Sequence, residues 1–134
     1  MSAPEMRKLT PVLVVDDVER CLPFWVERLG FTKTVEVPEG DTLGFVILQK
    51  DGVEVMYQSR ASVANDVPAV AAGARGHSTA LFLEVSDVAA VERAVDGLEI
   101  VLPRRRTFYG MDEVGVREPG GHVVIFAQPT TNTE

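Results

Sequence analysis

Cysteine is nearly absent from this chain. Cys21 is the only one among 134 residues, so no internal disulfide can form and the composition predicts a reducing, cytoplasmic setting. Long hydrophobic runs are missing as well. Stretches such as Val12 to Val15 are far too short to cross a bilayer, and the charged segment Met1 to Lys8 is followed by no apolar stretch of secretory-signal length, which predicts no membrane association. Positive charge is in the minority: thirteen Lys and Arg against twenty Asp and Glu give a formal charge of -7. Such a surface repels a phosphate backbone, so no nucleic-acid partner is expected. The one basic cluster, Arg104 to Arg106, follows Pro103 and reads as a solvated loop or strand end. No glycine-rich phosphate loop, Walker-type motif or serine elbow occurs, which leaves nucleotide hydrolysis and serine esterase chemistry without support.

What is present suffices for one domain, since a chain of this length buries about two-thirds of its unfolded surface. Leu9 to Asp16 is a β-branched and leucine-rich strand pattern. Asp17 follows as a helix N-cap, then Val18, Leu22, Trp25, Val26 and Leu29 recur at helical spacing. Pro23 removes a backbone donor inside that helix and predicts a loose first turn. Gly30 stands at the C-cap position, Phe31 to Val37 alternates as a strand, and Leu43 to Gln49 and Val53 to Gln58 form a hairpin around Lys50-Asp51-Gly52. The composition from Arg60 to Gly76 shifts to small and polar residues with Pro68 and predicts a connecting linker.

The first pattern then recurs. Thr79 to Ser86 alternates, Asp87 caps a short helix from Val88 to Val95, and Leu98 to Leu102 is a strand ending at Pro103. Glu113 to Arg117 and His122 to Ala127 form a hairpin around Glu118-Pro119-Gly120-Gly121. Val15, Asp17 and Val18 reappear 70 residues later as Val85, Asp87 and Val88, and Gly52 and Gly121 are 69 apart. A nearly constant offset over matching elements indicates a duplicated β-α-β-β-β unit, each copy of which alone would leave one sheet face uncovered.

The string Val15-Asp16-Asp17-Val18-Glu19-Arg20-Cys21-Leu22-Pro23-Phe24-Trp25, closed by Leu29-Gly30-Phe31, resembles the opening of vicinal oxygen chelate proteins, the glyoxalase, bleomycin-resistance and ring-cleaving dioxygenase relatives. Glu118-Pro119-Gly120-Gly121-His122 is similar to their terminal Asp-Pro-Asp-Gly-Asn turn. The resemblance implies an α+β fold of two tandem βαβββ modules whose eight strands form an incompletely closed, barrel-like cavity. It divides the chain into an extension (1–8), one domain (9–128, with modules at about 9–59 and 78–128 and a linker at 60–77) and a tail (129–134). Metal-dependent members bind a divalent ion through His, Gln or Glu on the first and fourth strands of each module. The matching positions here are Thr10, Met56, Ala80 and Ile125, so no metal and no other cofactor is expected.

Strand alternation sorts the remaining candidates by face. Leu81, Leu83 and Val85 form one apolar set facing the helix, while Ala80, Phe82, Glu84 and Ser86 form the opposite set, which by the resemblance lines the cavity together with Thr10, Val12, Val14 and Asp16. Met56 shares its face with Glu54 and Gln58. Glu54 and Glu84 are either a carboxylate pair for proton transfer or cation binding, or strand glutamates facing solvent. His122 reads as a turn or surface residue, His77 ends the linker, and Cys21 reads as core packing rather than a nucleophile. Phe108 and Tyr109, in the irregular segment Thr107 to Met111, either fold over the cavity or anchor a loop.

The expected ligand-binding set is therefore Thr10, Glu54, Met56, Phe82, Glu84, Phe108, Tyr109 and Ile125, with catalytic residues unassigned. The first functional reading, closest to the bleomycin-resistance branch, is a metal-free homodimer that sequesters a small, neutral or cationic, partly aromatic molecule. The second is an enzyme: a lyase, isomerase or dioxygenase with a displaced metal site, or a metal-free acid-base catalyst using Glu54 or Glu84. The third is a structural or regulatory homodimer.

Overall fold

The computed structural model describes residues 4–73, 76 and 79–130 of the chain. His77 lies outside the described residues. The first module runs β1 (Val12–Val15), a 3₁₀ turn (Glu19–Cys21), a π-type helix (Pro23–Arg28), β2 (Thr32–Glu39), β3 (Thr42–Lys50) and β4 (Val53–Ser59). Two helices, α1 (Arg60–Asp66) and α2 (Pro68–Gly73), follow it. The second module runs β5 (Ala80–Glu84), α3 (Val88–Ala94), β6 (Ile100–Arg106), β7 (Met111–Arg117) and β8 (Val123–Pro129). The sheets have matching orders, β1-β4-β3-β2 and β5-β8-β7-β6. In each, the first strand pairs parallel with the last and the other pairings are antiparallel. The result is an α+β fold of two four-stranded sheets with no closed barrel among the described residues.

Local chemistry accounts for most of the boundaries. The Asp17 carboxylate accepts the Arg20 N–H at 3.2 Å and the Asp87 carboxylate accepts the Ala90 N–H at 3.1 Å, so both caps form. Pro23, lacking an N–H, divides the first helical segment: a 3₁₀ turn ends at Cys21 and the wider helix starts at the proline itself, where no donor is needed. Gly30 closes that segment at φ 81°, and the Phe31 N–H reaches back to the Trp25 carbonyl at 2.8 Å.

The connection after Ser59 is helical, because its alanines favour helix; Ser59 caps α1 by accepting the Ser62 N–H at 3.1 Å, and Pro68 opens α2. One expectation is corrected. The sixth strand does not stop at Pro103. It continues to Arg106, because β6 is an edge strand with an irregular register between Leu102 and Arg105, where a missing donor is tolerated.

One core serves both modules. Leu13, Val15, Val46, Leu48, Val55 and Tyr57 of the first sheet bury against Cys21, Phe24 and Trp25, while Val114, Val116, Val124 and Phe126 of the second bury against Val88 and Val95. The first helical segment joins the halves. Phe24 stacks tilted on Phe126 at 6.4 Å between centroids, and Arg28 donates to the Ala94 and Asp96 carbonyls at 3.2 and 3.0 Å.

Candidate functional site

Burying one face of each sheet leaves the other open. In the first sheet the register aligns Val12, Met56, Ile47 and Val35 across four strands, with Val14, Gln58, Phe45 and Val37 as the next row. Val12, Val35 and Val37 are exposed. In the second sheet the matching row is Phe82, Ile125, Gly115 and Leu102, and Phe82 is 54% exposed. The alternation in β5 is the one the sequence predicts: Leu81, Leu83 and Val85 pack against the core, and Ala80, Phe82 and Glu84 face outward.

Between the segment leading into β1, the start of β4 and strand β5 lies a pocket of about 480 Å³. Its walls are largely apolar, from Pro11, Val55, Leu81, Phe82 and the Trp25 ring, and its polar end is built on Glu54. The Glu54 side chain is only 8% exposed. The Thr10 hydroxyl donates to its Oε1 at 2.8 Å, the Lys8 ammonium lies 2.9 Å from the same oxygen, and Gln49 Nε2 donates to Oε2. Hydrogen bonds from Lys8 and Thr10 outweigh desolvation and hold the Glu54 carboxyl below the ordinary range. Thr10, Glu54 and Phe82 are thus brought to one pocket. Met56 sits one row away opposite Val12, and Ile125 lies beside Phe82 on the open face.

The other candidates lie elsewhere. Glu84 lines a separate recess of about 420 Å³ with Leu29, Phe31, Lys50, Ala90 and Phe126, so it does not share a pocket with Glu54. Phe108 is fully exposed at the β6–β7 turn. Tyr109 donates its hydroxyl to the Glu113 carboxylate at 3.0 Å, and Arg105 adds bonds at 3.0 and 3.1 Å from the other side. Sequence reasoning missed Glu113, which is 1% exposed; alternation along β7 places it on the open face, where Tyr109 and Arg105 hold its carboxylate. Arg104 is likewise engaged, forming a bidentate pair with Asp112 at 2.7 and 2.9 Å and reaching Glu92 at 2.9 Å.

A second group missed from the sequence lies beneath the pocket. Trp25 Nε1 donates to the Tyr57 hydroxyl at 2.8 Å, and the Tyr57 hydroxyl donates to Glu118 Oε2 at 2.5 Å. The other carboxylate oxygen accepts the His122 N–H and lies 3.5 Å from its Nδ1. Glu118 and His122 are buried: His122 closes the turn, its carbonyl accepting the Glu118 N–H at 2.8 Å, so it is the turn residue expected but not a surface one. Burial alone would raise the Glu118 carboxyl, but hydrogen bonds from His122, Tyr57 and the backbone outweigh it and hold the group below the usual carboxylate value. Desolvation, together with the Glu118 and Asp17 carboxylates, pushes the Cys21 thiol far up, so it is no nucleophile. The one available signal is the glutamate at 118, where the resembled turn carries the shorter aspartate.

Comparison with known proteins agrees with this architecture. The family model for the Glyoxalase/Bleomycin resistance protein/Dioxygenase superfamily matches residues 9–126. Among solved structures, TioX from Micromonospora sp. ML1 is similar over 92% of this chain and 99% of its own, with a TM-score of 0.73 and 24% identity. A glyoxalase/bleomycin resistance protein/dioxygenase from Nocardioides covers 98% of this chain, which covers 89% of it, with a TM-score of 0.72 and 18% identity. The bleomycin-binding protein from bleomycin-producing Streptomyces verticillus, complexed with copper(II)-bleomycin, gives a TM-score of 0.64 at 22% identity, covering 97% of this chain and 100% of its own. At these identities the structural likeness is one of fold. No curated protein sequence matches the chain.

Proposed function

Because the chain belongs to the Glyoxalase/Bleomycin resistance protein/Dioxygenase superfamily, we propose that it is a small-molecule-binding protein that takes a compact, partly apolar, neutral or cationic ligand without a metal ion. The observation that carries this reading is the pocket of about 480 Å³ between the modules, largely apolar with a polar end at Glu54, Thr10 and Lys8. Its size and composition suit a small ligand with one polar group. The Streptomyces verticillus protein, whose fold this chain shares, holds copper(II)-bleomycin, so the architecture is compatible with sequestering a small molecule.

The residues present do not fit the divalent ion of metal-dependent relatives. Thr10, Met56, Ala80 and Ile125 supply one hydroxyl and one thioether, and the Glu54 oxygens are already engaged by Lys8, Thr10 and Gln49. Among the described residues, no three His, Cys, Asp or Glu side chains come together in a metal-holding group. Acid-base catalysis is also less well supported than binding. A carboxylate held below its ordinary range, as at Glu54, is ionised near neutrality and is both a poor acid and a weak base. Net charge of -7 favours the approach of cations over anions.

The test is elemental analysis of the purified protein followed by a thermal-shift screen of small molecules. Hits are then titrated by the fluorescence of Trp25, the sole tryptophan and part of the pocket wall. We expect no stoichiometric divalent metal, and hits among compact apolar amines and neutral aromatics that perturb Trp25. About one tightly held zinc, iron or manganese per chain, lost to chelator together with an activity, would overturn the reading.

A further inference from the structure

We propose that the Lys8 ammonium is a built-in surrogate for the ligand's own charged group: the pocket takes a primary or secondary amine on an apolar body, and that amine binds by displacing Lys8 from Glu54. This inference rests on the pocket reading above and narrows it to one chemical class. Glu54 is a half-buried residue whose carboxylate sits at the polar end of a largely apolar pocket, and the group 2.9 Å from it is an alkylammonium. The two partners differ sharply in environment. Glu54 is fixed by Thr10 and Gln49 as well as by Lys8, whereas the Lys8 side chain is 59% exposed and belongs to the segment before β1, outside either sheet.

That asymmetry sets the direction of exchange. Withdrawing Lys8 returns a mostly exposed ammonium to water at little cost, because ion pairs that one partner makes from solvent contribute little. Leaving Glu54 without a cation costs more, since it is shielded from water on the protein side. A ligand ammonium restores the charge pairing, and its apolar body gains contact with Phe82, Leu81 and Trp25, which the four-carbon lysine stem, attached from outside, does not fill. Thr10 and Gln49 remain on the carboxylate as fixed donors and hold it oriented. A carboxylic acid in the same place would face Glu54 directly and be rejected.

The experiment compares phenethylammonium with its neutral counterpart, phenethyl alcohol, by Trp25 fluorescence and calorimetry on the full chain and on Lys8→Met and Glu54→Gln. Methionine keeps an apolar stem over the pocket and removes the competing charge. We expect Lys8→Met to bind the ammonium about two- to fivefold more tightly, the range of a partly exposed ion pair removed from competition. We expect Glu54→Gln to lower the ratio of ammonium to alcohol affinity about tenfold or more. Thermal melts verify that both variants fold. If the alcohol binds and the ammonium gains nothing over it in the native protein, the pocket reading stands and the exchange falls. Weaker ammonium binding in Lys8→Met also overturns the exchange, because Lys8 would then be supporting the ligand rather than competing with it. If neither probe perturbs Trp25 in any variant, both readings fall.

Discussion

Glu118 shows what a single residue does when the chain supplies donors from both modules. A buried carboxylate without partners would cost several kcal/mol and would be protonated, but Tyr57 and His122 converge on it and keep it ionised. Replacing Glu118 with alanine should therefore destabilise the fold by about 3 kcal/mol or more, since the Tyr57 hydroxyl and the His122 N–H lose their acceptor together. Tyr57→Phe should cost about 1–2 kcal/mol by stranding the Trp25 indole N–H and one carboxylate oxygen. The pH dependence has a definite sign. A carboxyl whose folded pKa lies below its ordinary value of 4.5 contributes stability that is complete above that value and is lost as pH falls through the lower, folded one. Urea unfolding of the native protein and Glu118→Gln should show the two curves converging below pH 4.5, and a constant gap down to pH 2 would remove Glu118 from the acid limb.

At the scale of elements, the turn after β7 is docked rather than free. A Cβ on Gly120 would lie 2.8 Å from a Val15 methyl and 2.9 Å from the Cys21 sulfur, both in the other module. Gly120→Ala should therefore destabilise by about 1–3 kcal/mol through overpacking between modules. Gly40→Ala is the control: a Cβ added there would meet no atom within 4 Å, so its cost comes only from the left-handed backbone. Equal melting temperatures for Gly120→Ala and the native chain would mean that this junction yields. The elements themselves were mostly legible. Caps at Asp17 and Asp87 and the Lys50-Asp51-Gly52 hairpin follow from turn and cap chemistry within four residues. What turn and cap chemistry did not give, the helices α1 and α2 within the connection and the extension of β6 past Pro103, depended on what lay beside them: a capping Ser59 and an edge position.

At the scale of the whole molecule, the open faces carry the consequence. Val12, Val35 and Val37 on one sheet and Phe82 on the other remain exposed although each lies in a largely apolar cross-strand row. Apolar area of this kind favours association, and by the family resemblance we propose that two chains of 14.6 kDa pair through it. Light scattering at micromolar concentration should give twice the chain mass. Val35→Lys with Val37→Lys should yield a folded monomer, because β2 is an edge strand and tolerates charge without losing its hydrogen bonds. A native monomer would defeat the pairing, and a dimer that survives both lysines would place the interface on another surface.

Period, cap and turn are properties of neighbouring residues, and so the sequence alone determined the duplicated β-α-β-β-β pattern, the α+β class and the core-facing set in β5. It also placed Thr10, Glu54 and Phe82 on strands or strand approaches. Only the tertiary structure decided that these three share a pocket while Glu84 occupies another, that Lys8 sits on Glu54, and that Glu118 is buried. The Thr10–Glu54 and Tyr57–Glu118 bonds behind them join residues 44 and 61 positions apart. Strand periodicity fixes a side chain to a face but not to a partner; whether a carboxylate stays charged inside depends on donors that only the packing of one module against the other delivers.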